Sequence, residues 1–121
     1  MKKVILIADD SPTIRKFVSF SLKMKGFDII AVNDGMEALE VLPKENIDLL
    51  ITDLNMPNID GFELIKSIRE NQDYSEMPII ILSSLGANEE IERGISTGAN
   101  SYLVKPFDPN RIAYEISKYL N

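Results

Sequence analysis

Residues Val4–Gly26 read VILIADDSPTIRKFVSFSLKMKG, and the two halves of this stretch obey different periods. Val4 to Ala8 is continuously apolar, as a strand buried on both faces of a parallel sheet must be. Ser11-Pro12 then supplies an N-cap followed by proline at the first helical position, where no backbone N–H is needed. Ile14, Phe17, Val18 and Leu22 repeat at helical spacing, and Gly26 suits a C-terminal cap. The stretch is one strand–helix unit. Between its halves stand Asp9 and Asp10, two like charges at the mouth of a buried strand, with no positive residue following until Arg15.

The same alternation recurs along the chain. Runs at Asp28–Val32, Ile47–Thr52, Pro78–Leu82 and Ser101–Val104 predict four more strands. Helical stripes follow them: Ala38, Leu39 and Leu42, then Phe62, Ile65 and Ile68. Asn88 with Glu89 and Glu90 opens a fourth helix with acid in its first turn, and Gly98 closes it. Asp108-Pro109 opens the last, with Ile112, Ile116 and Leu120 along one face. Five strand–helix units with short connections predict an α/β fold, a parallel sheet covered by helices on both faces. Asn33-Asp34-Gly35, Pro57 and Asp60-Gly61 read as turn chemistry and are assigned no chemical role.

The 121 residues fit one domain, 1–121, with no repeat or linker, and no output domain is expected. Hydrophobic residues make up 45% and charged residues 26%, the balance of an ordinary globular chain. With no cysteine, a disulfide framework, a thiolate zinc site and a cysteine nucleophile are excluded. The chain also lacks histidine, and with it the commonest general base and transition-metal ligand. The net charge of −6 argues against nucleic acid or an anionic membrane surface as partner. Lys2-Lys3 before an apolar run imitates a signal peptide, but that run is too short and ends in two acids. No segment approaches the ~20 apolar residues that span a bilayer, so a cytoplasmic location is expected.

In an open α/β sheet, ligands bind beyond the carboxyl ends of the strands, where the strand order reverses. The first strand ends at Asp9-Asp10 and the third at Asp53. If these strands are neighbours, three carboxylates converge in one crevice. Singly each aspartate reads as a cap or loop residue; together, at the tips of strands made of Ile, Leu and Val, they point to a functional site. Hard oxygen ligands without His or Cys suit Mg²⁺. The fourth strand ends at Ser83-Ser84, and the fifth runs into Lys105-Pro106-Phe107, which puts an ammonium suited to a phosphoryl oxygen on the same edge.

Two acids after the first strand, DLNMPNIDG (Asp53–Gly61) after the third, a hydroxyl after the fourth and Lys-Pro-Phe after the fifth resemble the receiver domain of bacterial response regulators. The match is collinear over essentially the whole chain. It implies a flavodoxin-like (βα)5 fold with strand order 2-1-3-4-5. It further implies that Asp53 accepts a phosphoryl group from a histidine kinase. Asp10, Asp53 and the backbone carbonyl of Asn55 would bind Mg²⁺ directly, and Asp9 through water. Ser83, where the family more often has threonine, and Lys105 would hold phosphoryl oxygens. Lys105–Pro106 would be a cis peptide. Tyr102 would be the switch aromatic, turning inward when Ser83 moves, and Asn55 and Leu85 would tune phosphoryl lifetime. The readout surface would be the fourth helix, fifth strand and fifth helix.

The resemblance extends to the stand-alone, chemotaxis-type (CheY-like) receivers. It implies a monomer with a downstream protein target, either a flagellar or chemotaxis component or a histidine phosphotransferase. Beyond its own phosphorylation and dephosphorylation the chain is not expected to be an enzyme. The rival reading is a Mg²⁺-dependent aspartyl-phosphate phosphohydrolase, but Asn55 stands where such enzymes want a second acid. A flavin-binding domain fits less well, since the acids would repel the cofactor phosphate.

Overall fold

The computed structural model describes residues 2–120. Its elements are β1 (Val4–Ala8), α1 (Pro12–Met24), β2 (Asp28–Val32), α2 (Gly35–Val41), β3 (Leu49–Thr52), α3 (Gly61–Glu70), β4 (Ile79–Ser83), α4 (Asn88–Thr97), β5 (Ser101–Val104) and α5 (Pro109–Ser117). The five strands form one parallel sheet in the order β2-β1-β3-β4-β5. The strand–helix alternation and the strand order are therefore both as expected.

Alternate residues of each central strand enter different cores, because successive side chains on a strand point to opposite faces. Ile5, Ile7, Leu49, Ile51, Ile80 and Leu82 pack with Val18 and Leu22 of α1 and Ile112 and Ile116 of α5. Leu6, Ala8, Leu50, Ile79 and Ile81 pack with Ala38 of α2 and Phe62, Leu64, Ile65 and Ile68 of α3. Burial on both faces is why β1, β3 and β4 read as unbroken apolar runs. The edge strands β2 and β5 keep exposed positions.

Three details depart from the expected pattern. Two strands shift at their ends: β3 begins at Leu49 rather than Ile47, and β4 runs from Ile79 to Ser83 rather than from Pro78 to Leu82. Pro78 has no N–H for the ladder, although its carbonyl accepts from Leu50. Phe17 of the α1 stripe is 48% exposed and tilts against Phe107, so the buried stripe narrows to Val18 and Leu22. The N-cap position of α4 is Ala87, which offers no side-chain bond.

Candidate functional site

The candidate acids and the candidate lysine each follow the carboxyl end of a strand. Asp9 and Asp10 follow β1 directly, and Asp53 follows β3. Because β1 and β3 pair with Ala8 beside Thr52, the acids emerge side by side, and the Asp53 N–H donates to the Ala8 carbonyl at 2.9 Å. Oxygens of Asp9, Asp10 and Asp53 lie within 4.8 Å of one another, a set of three hard donors able to hold a divalent cation.

Lys105 arrives from the far end of the chain. Ser83 pairs with Val104 in the sheet, and the Lys105 N–H donates to the Ser83 carbonyl at 2.7 Å. This puts Nζ 3.1 Å from Asp9 Oδ2 and 3.3 Å from Asp53 Oδ2, with 17% of the lysine side chain exposed. The Lys105–Pro106 peptide is cis, as expected.

The three acids differ in environment. Asp9 is buried, and both its oxygens are engaged: Oδ1 accepts from the Ser11 N–H at 2.9 Å and Oδ2 from Lys105. Asp10 is exposed. Asp53 is buried, and its Oδ1 accepts from the Leu54 N–H at 2.7 Å. Burial pushes the Asp53 carboxyl up from its ordinary range; Lys105 and the Leu54 N–H oppose that shift, while Asp9 adds to it. A group poised in this way is the common mark of a working carboxylate.

Gly61 holds the loop after β3 close. A Cβ at this position would lie 2.3 Å from the Asp53 carbonyl oxygen and 2.8 Å from the Leu54 Cα, so any side chain would push the backbone of Asp53 aside. The Gly61 N–H closes the loop onto the Leu54 carbonyl at 2.8 Å, and Asp60 caps α3 by accepting from the Glu63 N–H. The Asp60-Gly61 turn is therefore a close backbone approach.

Ser83 is fully buried, and its Oγ accepts from the Leu85 N–H at 3.1 Å. The Leu85 carbonyl in turn accepts from the Tyr102 hydroxyl. A hydrogen-bonded chain thus runs from the tip of β4 through Leu85 to the half-buried ring of Tyr102, whose hydroxyl is pushed up in pKa by burial. Asn55 lies exposed in the loop between β3 and α3.

Sequence reasoning missed Arg15 and Asn58. Arg15 Nη1 donates to the Asp9 carbonyl at 2.7 Å and to Asn33 Oδ1 at 3.0 Å. Asn58 takes a left-handed conformation, φ 69°, and donates from Nδ2 to Asp34 Oδ2 at 2.8 Å. The signal for Asn58 was its residue type, since asparagine tolerates positive φ; nothing local marked Arg15.

The family model for the response regulator receiver domain matches residues 5–117. The chain belongs to the response regulator receiver domains. This receiver domain is 36% identical over 118 residues to a chemotaxis protein CheY homolog of Campylobacter jejuni, covering 96% of this chain and 91% of that one. It is 45% identical over 105 residues to the sensor protein EvgS of Escherichia coli K12, covering 87% of this chain and 9% of that protein. Among solved structures, the chemotaxis response regulator CheY4 of Vibrio cholerae superposes with a TM-score of 0.93 at 35% identity, covering 99% of this chain and 100% of that one. Among the described residues, no helix is long and apolar enough to cross a membrane.

Proposed function

We propose that this receiver domain is a cytoplasmic phospho-accepting switch in two-component signalling, charged at Asp53 by a histidine kinase in a Mg²⁺-dependent reaction. The observation that carries the reading is Lys105 Nζ seated between Asp9 and Asp53 at the carboxyl edge of the sheet.

An Asp53 carboxylate oxygen attacks the phosphorus of a phosphohistidine. The P–N bond breaks, and its electron pair stays with the imidazole nitrogen. Such a transfer asks little of the protein beyond an in-line nucleophile and positive charge on the equatorial oxygens. Lys105 already faces Asp53 and donates to an oxygen of the new acyl phosphate, while the Ser83 hydroxyl at the tip of β4 donates to another. The three-acid set fits Mg²⁺: Asp10, Asp53 and the Asn55 carbonyl would hold it directly and Asp9 through water. The bound ion would offset phosphoryl charge. The engaged oxygens of Asp9 and the exposure of Asp10 support this division between the adjacent acids.

The signal leaves by α4, β5 and α5. Drawing Ser83 toward the phosphoryl group loosens its bond to the Leu85 N–H, and Leu85 also anchors Tyr102. A groove of about 520 Å³ beside Tyr102 is lined by Ile91, Val104, Phe107 and Arg111, and Ile95 and Tyr114 stand exposed. Chemotaxis-named relatives support a chemotaxis component as the target, with a histidine phosphotransferase as the alternative.

Incubation with a small-molecule phosphodonor and Mg²⁺ tests the reading. One phosphoryl group per chain, lost in Asp53→Asn, is expected. Repeated turnover of a phosphate monoester would instead favour a phosphohydrolase. The chain is read as no enzyme beyond its own phosphorylation and dephosphorylation.

A further inference from the structure

The Asn33-Asp34-Gly35 turn reads locally as a plain connection, yet in the fold it touches both sides of the acidic crevice. On the β1 side, Asn33 Oδ1 accepts from Arg15 Nη1, which also donates to the Asp9 carbonyl, and the Asp9 N–H donates to the Val32 carbonyl at 3.2 Å. On the β3 side, Asp34 Oδ2 accepts from Asn58 Nδ2 at 2.8 Å. The contact is backed by packing: a Cβ on Gly35 would lie 3.0 Å from the Ile59 carbonyl oxygen. Asp34 is buried, and its other oxygen caps α2 by accepting from the Glu37 N–H at 2.9 Å.

From these contacts we infer that Asp34 and Asn58 are positioning residues for the phospho-acceptor site. Through them the β2–α2 turn braces the loop that carries Asn55 against the strand end that carries Asp9. This rests on the phospho-acceptor reading above and adds to it a device outside the crevice. The loop between Leu54 and Gly61 has its two ends bonded to each other and Met56 packed on the core, while Asn55, Pro57 and Asn58 are exposed and Asn58 is left-handed. The Asn58 bond is the side-chain tie that holds the exposed part of this loop, and losing it loosens the Asn55 carbonyl. Groups that hold a metal's ligands in place from outside commonly govern its affinity.

The amide–carboxylate bond can be reversed without touching any residue of the crevice. Asn58→Asp puts two carboxylates together and breaks the tie, and Asn58→Gly removes the amide while keeping the left-handed turn accessible. Asp34→Asn combined with Asn58→Asp restores one amide–carboxylate pair, and asparagine still caps α2. Mg²⁺ binding is measured by calorimetry and Asp53 labelling by a phosphodonor, with melting temperature followed throughout. Each single Asn58 variant is expected to weaken Mg²⁺ binding about tenfold, and the double variant to recover most of that loss, with all variants folded. Single variants that bind Mg²⁺ as the wild type does, or a folded double variant without recovery, would overturn the inference. If the wild type itself bound no Mg²⁺ and took no label, the phospho-acceptor reading would fall and this inference with it.

Discussion

At the carboxyl ends of the strands, Lys105 sits between two carboxylates, 3.1 Å from Asp9 and 3.3 Å from Asp53. At the amino ends of β4 and β5, Arg69 is held by neutral acceptors. Its Nε donates to the Gly98 carbonyl at 2.9 Å and Nη2 to Asn100 Oδ1 at 2.9 Å. Nη1 faces the carbonyls of Met77, Ser75 and Tyr74, nearest Met77 at 2.7 Å. Asn100 Oδ1 also accepts from the Ile79 N–H. Gly98, at φ 133°, lets the chain pass under the guanidinium, since a Cβ there would lie 2.7 Å from Arg69 Cγ. One cation offsets charge that the site needs; the other satisfies backbone that the fold needs. A planar guanidinium with fixed donors suits the second task, and a single mobile ammonium suits a partner that changes.

Arg69→Met tests this contrast with the largest effect. It leaves several partly buried carbonyls short of a donor and should cost about 3 kcal/mol of stability in urea denaturation. A fall in melting temperature of about 10 °C should accompany it, with Asp53 labelling intact in the folded protein. Loss of labelling at unchanged stability would break the assignment of Arg69 to the scaffold.

Lys105→Met should do the reverse. Labelling by a small phosphodonor is expected to slow about a hundredfold, the usual loss when one placed cation or donor is removed from a site of developing charge. An unchanged labelling rate would remove Lys105 from the chemistry.

The smallest effect is a pH dependence. The Asp53 carboxyl titrates above its ordinary value of 3.8 in the folded state, chiefly through burial. The folded state therefore binds its proton more tightly than the unfolded chain does, and ionised Asp53 costs stability above the folded pKa. That cost fades as pH falls through the folded pKa and is gone below the unfolded value. Asp53→Asn should thus be more stable than wild type at pH 7, and the two should converge toward pH 4. A gain that stayed constant with pH would make packing rather than charge the cause.

Much of this molecule is written locally. The unbroken apolar runs of β1, β3 and β4 announce strands covered on both faces, and Ser11-Pro12 and Asp108-Pro109 mark helix starts that the structure keeps. The crevice was legible because its parts stand at strand tips, where residue type and position agree. The bracing turn was not. Asp34 and Asn58 lie 24 residues apart, and each alone reads as ordinary turn chemistry. Arg69 was equally silent, an arginine near the end of a helix with nothing local to name its acceptors.

The linear pattern of residues specifies the five strand–helix units, the strands buried on both faces, and the acids, hydroxyl and lysine that end four of those strands. Those features depend on periods of two and 3.6 residues and on chain neighbours, which a linear pattern can carry. The Lys105–Asp9 contact across 96 residues, the closure of the opposite end by Arg69 and the joining of the two sides of the crevice by the Asn33–Gly35 turn come from the folded arrangement. Contacts of that kind arise from strand order and register, which bring together residues that no local pattern relates.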